Sequence, residues 1–316
     1  MPTLTTTEIL MDVLGSFKQG FPAINRMGTD FRAGALKLGQ TYIAHIPGLP
    51  SIANYDAAQG GYKNGATSAR SLLTDVPITV DQHKHVPLKW AHLDSIKDNK
   101  QKYQEVIANA GEVLAKAVVD DLLAGGVAAN FSKVTSTAVA DFDLDVITEV
   151  NGKMNKDKAS PIGRVMLVST DVANVIGADT RIASRDFYGQ QTGGNALRRW
   201  QNVGGFAEII EYPDFPANGE KLCAFAFESR AFALLAGVPE SFDASIGAQL
   251  GIPPTMSYET VTDPTSGISM AAVSWQETGT GDYYWSPTLV WGKRLGKSGG
   301  AAGSLTDLAG HRIVFP

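Results

Sequence analysis

The sequence of 316 residues lacks several features that define common classes of protein. It has a single cysteine, Cys223, which excludes an internal disulfide and a cysteine-based zinc cluster. Its net charge is −5, from 27 basic and 32 acidic residues, which argues against a basic protein that coats nucleic acid. No apolar run approaches the about 18 residues that a membrane helix needs, and the first residues lack the regions of a signal peptide. The sequence therefore predicts a soluble protein made in the cytosol.

Hydrophobic residues make up 44% of the chain, which is enough to bury a core and excludes general disorder. At roughly 150 residues per domain, the length predicts one or two domains. The first 30 or so residues are polar and mixed, with a short helix expected around residues 7–17. Gly15, Gly20 and Pro22 interrupt any longer pattern there. This part is predicted to be a loosely attached arm.

Two β segments, about residues 36–46 and 76–90, follow the arm. Apolar and polar residues alternate through the second segment, which predicts one strand of fifteen residues. About 29 residues rich in Gly, Ala, Ser and Asn separate the two segments, and a loop of that length marks a functional element. We interpret the whole as a projecting hairpin that a neighbouring subunit covers. Its predicted contact residues are Tyr55, Tyr62, Lys63, Arg70, His83 and His85.

The strongest helix pattern runs over residues 99–124, and Gly125 and Gly126 end it. A second helix is predicted from about Asp143. From Gly163 onward a buried strand, a short helix and further apolar segments indicate an α/β region, and the last third is rich in β segments. The residues from Ser298 onward are predicted to be a tail.

Few residues form a recognisable chemical site. Asp81, His83 and His85 alternate along one strand face and could bind a metal, although a polar strand face is the simpler interpretation. Asp141, Asp143 and Asp145 open like a calcium loop, but the later positions lack the required glycine and glutamate, so helix capping is favoured. Cys223 lies in an apolar run and is predicted to be a buried thiol.

Residues 177–205 contain a long loop that combines arginine with aromatic residues. Such a mixture occurs both in nucleic-acid sites and in the contact centres of protein interfaces, and in an acidic chain we favour the interface. The predicted contact residues of this loop are Arg185, Phe187, Tyr188, Arg198, Arg199 and Trp200.

The order of these segments resembles the major capsid proteins of tailed bacteriophages that have the Hong Kong ninety-seven coat fold. The resemblance rests on VPITVDQHKHVPLKWAHLD, which leads into the helix YQEVIANAGEVLAKAVVDDLL. It continues in GRVMLVSTDVANVI, FAEIIEYPDFP, CAFAFESRAFALLAG and TLVWGKRL. Together these stretches cover about residues 35–295, and they match the family in pattern and order.

The resemblance implies an α+β capsid fold with six parts. These are an N-terminal arm (1–34), an extended hairpin loop (35–92), a peripheral domain with a long spine helix (93–159), an axial domain (160–248), a returning β segment of the peripheral domain (249–297) and a C-terminal tail (298–316). Some relatives join a hairpin lysine to a neighbour's asparagine. Lys63 lies in the corresponding loop, but no partner asparagine can be matched, so we do not carry this cross-link over.

The implied function is a structural protein of the virion capsid, synthesised and assembled in the host cytoplasm, without enzymatic activity, cofactor or metal. Its implied partners are copies of itself in pentamers and hexamers, a separate scaffolding protein, a portal, a decoration protein and enclosed double-stranded DNA bound without sequence specificity, with no membrane. The short segment before the first strand favours the separate scaffold. The alternatives are an encapsulin-like nanocompartment shell and a metal-dependent β-rich enzyme that uses His83 and His85.

Overall fold

The computed structural model describes residues 6–20, 24, 28–47, 52–63, 66, 73–90, 100–183, 199–240, 257–263, 267–296 and 305–316. Within these ranges, the α-helices are α1 (Thr6–Gly20), α2 (Lys100–Ala124), α3 (Leu144–Lys156), α4 (Thr170–Ala178) and α5 (Thr180–Ala183). The strands are β1 (Gly28–Leu36), β2 (Thr41–Pro47), β3 (Leu73–Thr79), β4 (Gln82–His85), β5 (Leu88–Trp90), β6 (Val134–Ser136), β7 (Val165–Val168), β8 (Arg199–Val203), β9 (Phe206–Glu211), β10 (Leu222–Phe227), β11 (Phe232–Pro239), β12 (Ser257–Thr262), β13 (Ser269–Gln276), β14 (Tyr283–Leu295) and β15 (Gly310–Val314). The predicted α+β class is confirmed.

The long helix predicted from the sequence is present as α2, whose 25 residues span about 38 Å. The amides of Gly125 and Gly126 donate to the carbonyls of Leu122 and Leu123 and so close its last turn. No helix in the described part of the chain is both long and apolar enough to cross a membrane.

The strands form two large sheets and one small one. A seven-stranded sheet has the order β1-β11-β14-β13-β12, and β4 and β5 also pair with the long strand β14. A six-stranded sheet has the order β6-β15-β10-β7-β9-β8. The strands β2 and β3 form an antiparallel two-stranded sheet. Parallel pairs occur between β1 and β11, β6 and β15, and β7 and β9.

Alternation along the strands divides the interior into three cores. The largest core joins α1 and α2 to one face of each large sheet, for example through Leu167 of β7 and Trp291 of β14. The opposite face of the six-stranded sheet packs against α3 and α4, with Met166 among the contacts. The opposite face of the seven-stranded sheet packs against β2 and β3, through residues such as Val290. Because successive side chains point to opposite faces, one strand serves two cores.

The prediction of a single strand over residues 76–90 is wrong. The structure has three strands there: β3 pairs with β2, whereas β4 and β5 pair with β14. Val80 and Asp81 separate β3 from β4, and Pro87, which has no amide proton to donate, lies between β4 and β5. The alternation of buried and exposed residues was predicted correctly through Val76, Ile78 and Val80, but the partner changes along it.

Both ends of the described chain are packed into the body. Within the expected arm, α1 buries Leu10, Val13, Leu14 and Phe17 against α2 and the shared core. Within the expected tail, β15 lies between β6 and β10. The strand β11, which falls in the expected axial domain, pairs with β1 and β14 of the seven-stranded sheet.

Candidate functional site

The candidate site is the hairpin formed by β2 and β3. The two strands pair in register from Thr41 opposite Thr79 to Pro47 opposite Leu73. The inner face of the hairpin buries Ala44, Val76 and Ile78 against the seven-stranded sheet. The hairpin therefore packs through an apolar face on the body of the subunit, by which we mean the two large sheets and their helices. It lies on the side of the seven-stranded sheet opposite α2.

The outer face of the hairpin is exposed and carries cross-strand pairs. Nδ1 of His45 lies 2.7 Å from Oδ1 of Asp75, and the hydroxyls of Thr41 and Thr79 lie 2.9 Å apart. Between these pairs Ile43 is exposed, although isoleucine normally favours the interior. A β-hairpin whose outer face carries an apolar side chain is suited to being covered by another surface.

Ionic and backbone contacts fix the base of the hairpin. Nη1 of Arg294 on β14 donates to the carbonyl of Pro77 at 2.7 Å. Nζ of Lys37, in the turn between β1 and β2, lies 2.8 Å from Oε2 of Glu240 at the end of β11. The base is thus held at two points on the seven-stranded sheet.

The described part of the tip, residues 52–63, contains a compact turn. The carboxylate of Asp56 accepts from the amide of Ala58, and its carbonyl accepts from the amide of Gly61, both at 2.8 Å. Gly60 and Gly61 have φ angles of 97° and 65°, which explains why glycine occupies these positions. The tip therefore has local order of its own, which the composition of the loop did not predict.

Three large apolar side chains cover the tip and are open to solvent. Ile52 is 100% exposed, Tyr62 95% and Tyr55 64%. The rings of Tyr55 and Tyr62 lie 5.0 Å apart at 56° to each other. Because burying such side chains gains about 1.5–3 kcal/mol each, this is the part of the hairpin best suited to bind a protein partner.

The predicted hairpin residues fall in three different places. Tyr55 and Tyr62 lie together on the tip, and Lys63 follows them, with its amide donating to the carbonyl of Gly60. Arg70 lies outside the described residues. His83 and His85 lie on β4, where they contact the hydroxyls of Thr288 and Ser286 at 3.0 and 2.8 Å.

The contacts of His83 and His85 bear on the metal hypothesis. Burial, followed by the nearby charge of His85, lowers the pKa of His83. Among the residues that the structure describes, no three His, Cys, Asp or Glu side chains are grouped to hold a metal ion. The two histidines thus act as hydrogen-bond partners of β14.

The predicted axial contact residues are placed only in part. Arg185, Phe187, Tyr188 and Arg198 lie outside the described residues. Trp200, on β8, is 3% exposed and packs in the core under α3 and α4, which is the environment of a core side chain. Arg199 is half-buried, with its guanidinium 4.0 Å from the carboxylate of Glu208.

The acidic run at Asp141 caps a helix, as the sequence predicted. The Asp143 carboxylate accepts from the amides of Asp145 and Val146 at the start of α3. Arg181 of α5 bridges the carboxylates of Asp143, Asp145 and Asp179. This cluster ties α3 to α5, immediately before the segment that the sequence predicts to be a long loop.

Cys223 is a buried thiol, as predicted. It lies in the core under α3 and α4, and its Sγ donates to the carbonyl of Ile313 at 3.3 Å. Burial raises the pKa of the Cys223 thiol to about 12, so it stays protonated near neutral pH.

His311 of β15 is the buried histidine of the six-stranded sheet, at 2% exposure. Its Nε2 lies 2.8 Å from the hydroxyl of Thr135, which also accepts from Nζ of Lys153. Burial lowers the pKa of His311 to about 4. The cations Lys153, Lys133 and Arg312 also lower it, and only Asp157 opposes them.

This environment predicts a loss of stability in acid. The unfolded chain binds a proton at His311 near pH 6.5, whereas the folded chain binds it only near pH 4. Stability from the neutral histidine is therefore complete above pH 6.5 and is lost as the pH falls to 4, by about 3 kcal/mol in all. Urea unfolding measured from pH 7 to pH 4 should show this loss in the wild type. In a His311→Gln variant, the free energy of unfolding should fall by about 3 kcal/mol less between pH 7 and pH 4 than it does in the wild type. An equal fall in the two proteins would contradict the role of His311.

Three residues of the hairpin region escaped the sequence analysis. Ile43 lies on the strand face opposite to Tyr42 and Ala44, so its exposure could have been suspected from the alternation along β2, whereas the neighbours of Ile52 give no such signal. Arg294 gives no signal in the sequence, because its contact with Pro77 spans 217 positions.

No family model matches the sequence, and no curated protein matches it. Among solved structures, the chain is similar to the capsid of cyanophage P-SCSP1u, with a TM-score of 0.49 and 13% identity over 92% of this chain and 86% of that chain. It is similar to the mature capsid of bacteriophage PhiM1, with a TM-score of 0.46 and 11% identity over 92% and 85%. It is also similar to a virus-like particle from Pyrococcus furiosus, with a TM-score of 0.47 and 8% identity over 96% and 97%.

Proposed function

We propose that this chain is the major capsid protein of a tailed bacteriophage and that copies of it assemble into the icosahedral shell around the genome. Its role is structural, and its function is carried by repeated contacts between subunits. The order of segments in the sequence, which resembles this family, supports the proposal.

The observation that carries the proposal is the hairpin of β2 and β3. Its inner face is buried on its own subunit, whereas its tip exposes Ile52, Tyr55 and Tyr62 to solvent. A tip that is ordered by its own hydrogen bonds and covered by apolar side chains is prepared to bind before any partner arrives. In a shell, the surface that covers this tip is a second copy of the chain.

The other partners follow from the same proposal. The subunits form pentamers and hexamers, a separate scaffolding protein guides their assembly, and a portal and a decoration protein complete the particle. The net charge of −5 fits a shell that encloses double-stranded DNA without gripping it. Assembly takes place in the host cytoplasm, and the product is the virion capsid.

The direct test is electron microscopy of the purified protein, expressed alone and together with its genomic neighbours. We expect closed shells of uniform diameter. A chain that remains monomeric in both preparations would contradict the proposal. Shells that enclose an enzyme in place of DNA would instead support the encapsulin-like alternative.

The tip itself can be tested by replacing Ile52 with Ser and Tyr62 with Ala together. The double variant should keep the subunit's stability within about 0.5 kcal/mol, because both side chains are fully exposed in the subunit. Shell formation should be lost, since the variant removes the two most exposed apolar side chains of the tip. Unfolding in urea and negative-stain microscopy measure the two effects.

The matched control is Ile162→Ser, the same substitution at another strongly exposed isoleucine, in the turn before β7. This variant should still form shells. If the tip variant assembles as the wild type does, or if its subunit unfolds, the tip does not join the subunits.

A further inference from the structure

The hairpin and the seven-stranded sheet approach each other closely at Gly292 of β14. A Cβ atom at this position would overlap the carbonyl oxygen of Thr79, at the end of β3, and would lie 3.0 Å from Cγ2 of Ile78. The overlapped atom belongs to the backbone of β3, so it cannot move aside by rotating a side chain. Only glycine allows the two strands to approach this closely.

Space, and not backbone conformation, requires the glycine. The φ angle of Gly292 is not positive. The residue lies within β14, in the extended conformation that any residue can adopt. A Gly292→Ala substitution would therefore preserve the conformation and the hydrogen bonds of β14. It would disturb only the contact between β14 and β3.

Two neighbours on the same face of β14 continue this contact. Val290 packs in the core under the hairpin together with Val76 and Ile78, and Arg294 donates to the carbonyl of Pro77. Residues 290, 292 and 294 share one face because side chains alternate along a strand. They form a seat for the base of β3, and Gly292 is its middle position.

A shift at this seat is transmitted along the hairpin. A normal carbon–oxygen contact is about 3.3–3.6 Å, so a methyl group at position 292 would displace the end of β3 by roughly an ångström. The contact between Lys37 and Glu240 holds the neighbouring turn. The hairpin would then rotate about its base, and its tip would move further than its base does.

We propose that Gly292 is a positioning residue that sets the angle between the hairpin and the body. Resting on the proposed function, we infer that this angle determines how each subunit meets the next and hence the geometry of the shell. A side chain at position 292 changes the angle and leaves the subunit folded.

The first test measures the angle in the isolated subunit. Spin labels at Lys63→Cys, on the tip, and at Thr260→Cys, on β12, report the distance between hairpin and body; Cys223 is buried and stays unlabelled. Gly292→Ala should shift the distance distribution while circular dichroism stays unchanged. The matched control is Gly279→Ala, where a Cβ meets no atom within 4 Å, and its distribution should equal that of the wild type.

A distribution unchanged by Gly292→Ala would overturn the proposal. If that variant fails to fold, Arg294→Met provides the second test, because it removes the bond to Pro77 without adding volume on the seat. It should broaden the distribution, and an unchanged distribution would again count against the seat.

The second test compares shells by electron microscopy. Gly292→Ala should give particles of altered diameter or a yield at least tenfold lower than that of Gly279→Ala. Equal particles would refute the link from hairpin angle to shell geometry. If the wild type forms no shells, the proposed function fails, whereas the distance measurement still decides the role of Gly292.

Discussion

A Gly111→Ala variant is expected to displace α1 from α2 and to lower the free energy of unfolding by about 3 kcal/mol. A Cβ at position 111 would overlap the carbonyl oxygen of Val13 and approach the amide nitrogen of Phe17 at 2.9 Å. Both atoms belong to the backbone of α1, so the helix must move as a whole. Its buried residues Leu10 and Leu14 would then lose part of their packing.

Hydrogen exchange and urea unfolding measure this effect. The amides of α1 should exchange faster in the variant, because the helix separates from its support. The control is Gly152→Ala in α3, where a Cβ meets no atom within 4 Å. That substitution should raise stability by about 0.5–1 kcal/mol through helix propensity alone. A similar gain at both positions would show that the helices are not packed at Gly111.

An Arg164→Met variant is expected to lose about 3 kcal/mol of stability. Arg164 is 1% exposed, and among the residues that the structure describes its guanidinium has no carboxylate as a hydrogen-bond partner. It donates instead to the carbonyls of Ser160 and Ala159 and to the side-chain oxygens of Asn151 and Asn155. Methionine fills the space but leaves these acceptors without the guanidinium, among them the carbonyl of the buried Ala159.

Urea unfolding at neutral pH measures this loss. The control is Lys156→Met, at the end of α3, the helix that carries Asn151 and Asn155, where the side chain is exposed. This substitution should change stability by less than about 0.5 kcal/mol. Equal stability of the two variants would mean that the hydrogen bonds of Arg164 do not hold the turn before β7.

The elements that the sequence predicted well are those with a local signal. The apolar period of α2 and its terminal Gly125 depend on neighbours three or four residues apart, and α2 ends at Ala124, as predicted. The cap of α3 at Asp143 is also local. The same holds for β10, where an uninterrupted apolar run gives a strand buried on both faces.

The sequence predictions failed where they depended on which other strand or helix lies beside a segment. Alternation over residues 76–90 indicates which side chains are buried, but it carries no information on whether β2 or β14 lies beside them. Likewise, the amphipathic pattern of α1 predicts a helix, whereas its support on α2 depends on Gly111, about a hundred residues away. Such contacts are decided by the packing of the whole chain.

For the candidate site, the sequence identified the loop and two of its exposed aromatic residues, Tyr55 and Tyr62. It could not identify Gly292 or Arg294, because an approach between two backbones leaves no pattern of its own in the sequence. It also placed Trp200 at an interface, although the side chain is buried; an aromatic residue beside arginines has the same composition in a core and on a surface.

The position of β15 has a consequence for the order in which the chain can fold during synthesis. Its strand neighbours β6 and β10 are translated long before it, yet it lies between them, with Arg312 paired to Val134 and to Phe225. Until the ribosome has made residues 310–314, β6 has no partner in the sheet and β10 has a free edge. A nascent or truncated chain therefore cannot complete the six-stranded sheet. Only chains translated through β15 can contribute a finished subunit, which delays association until synthesis has passed that strand.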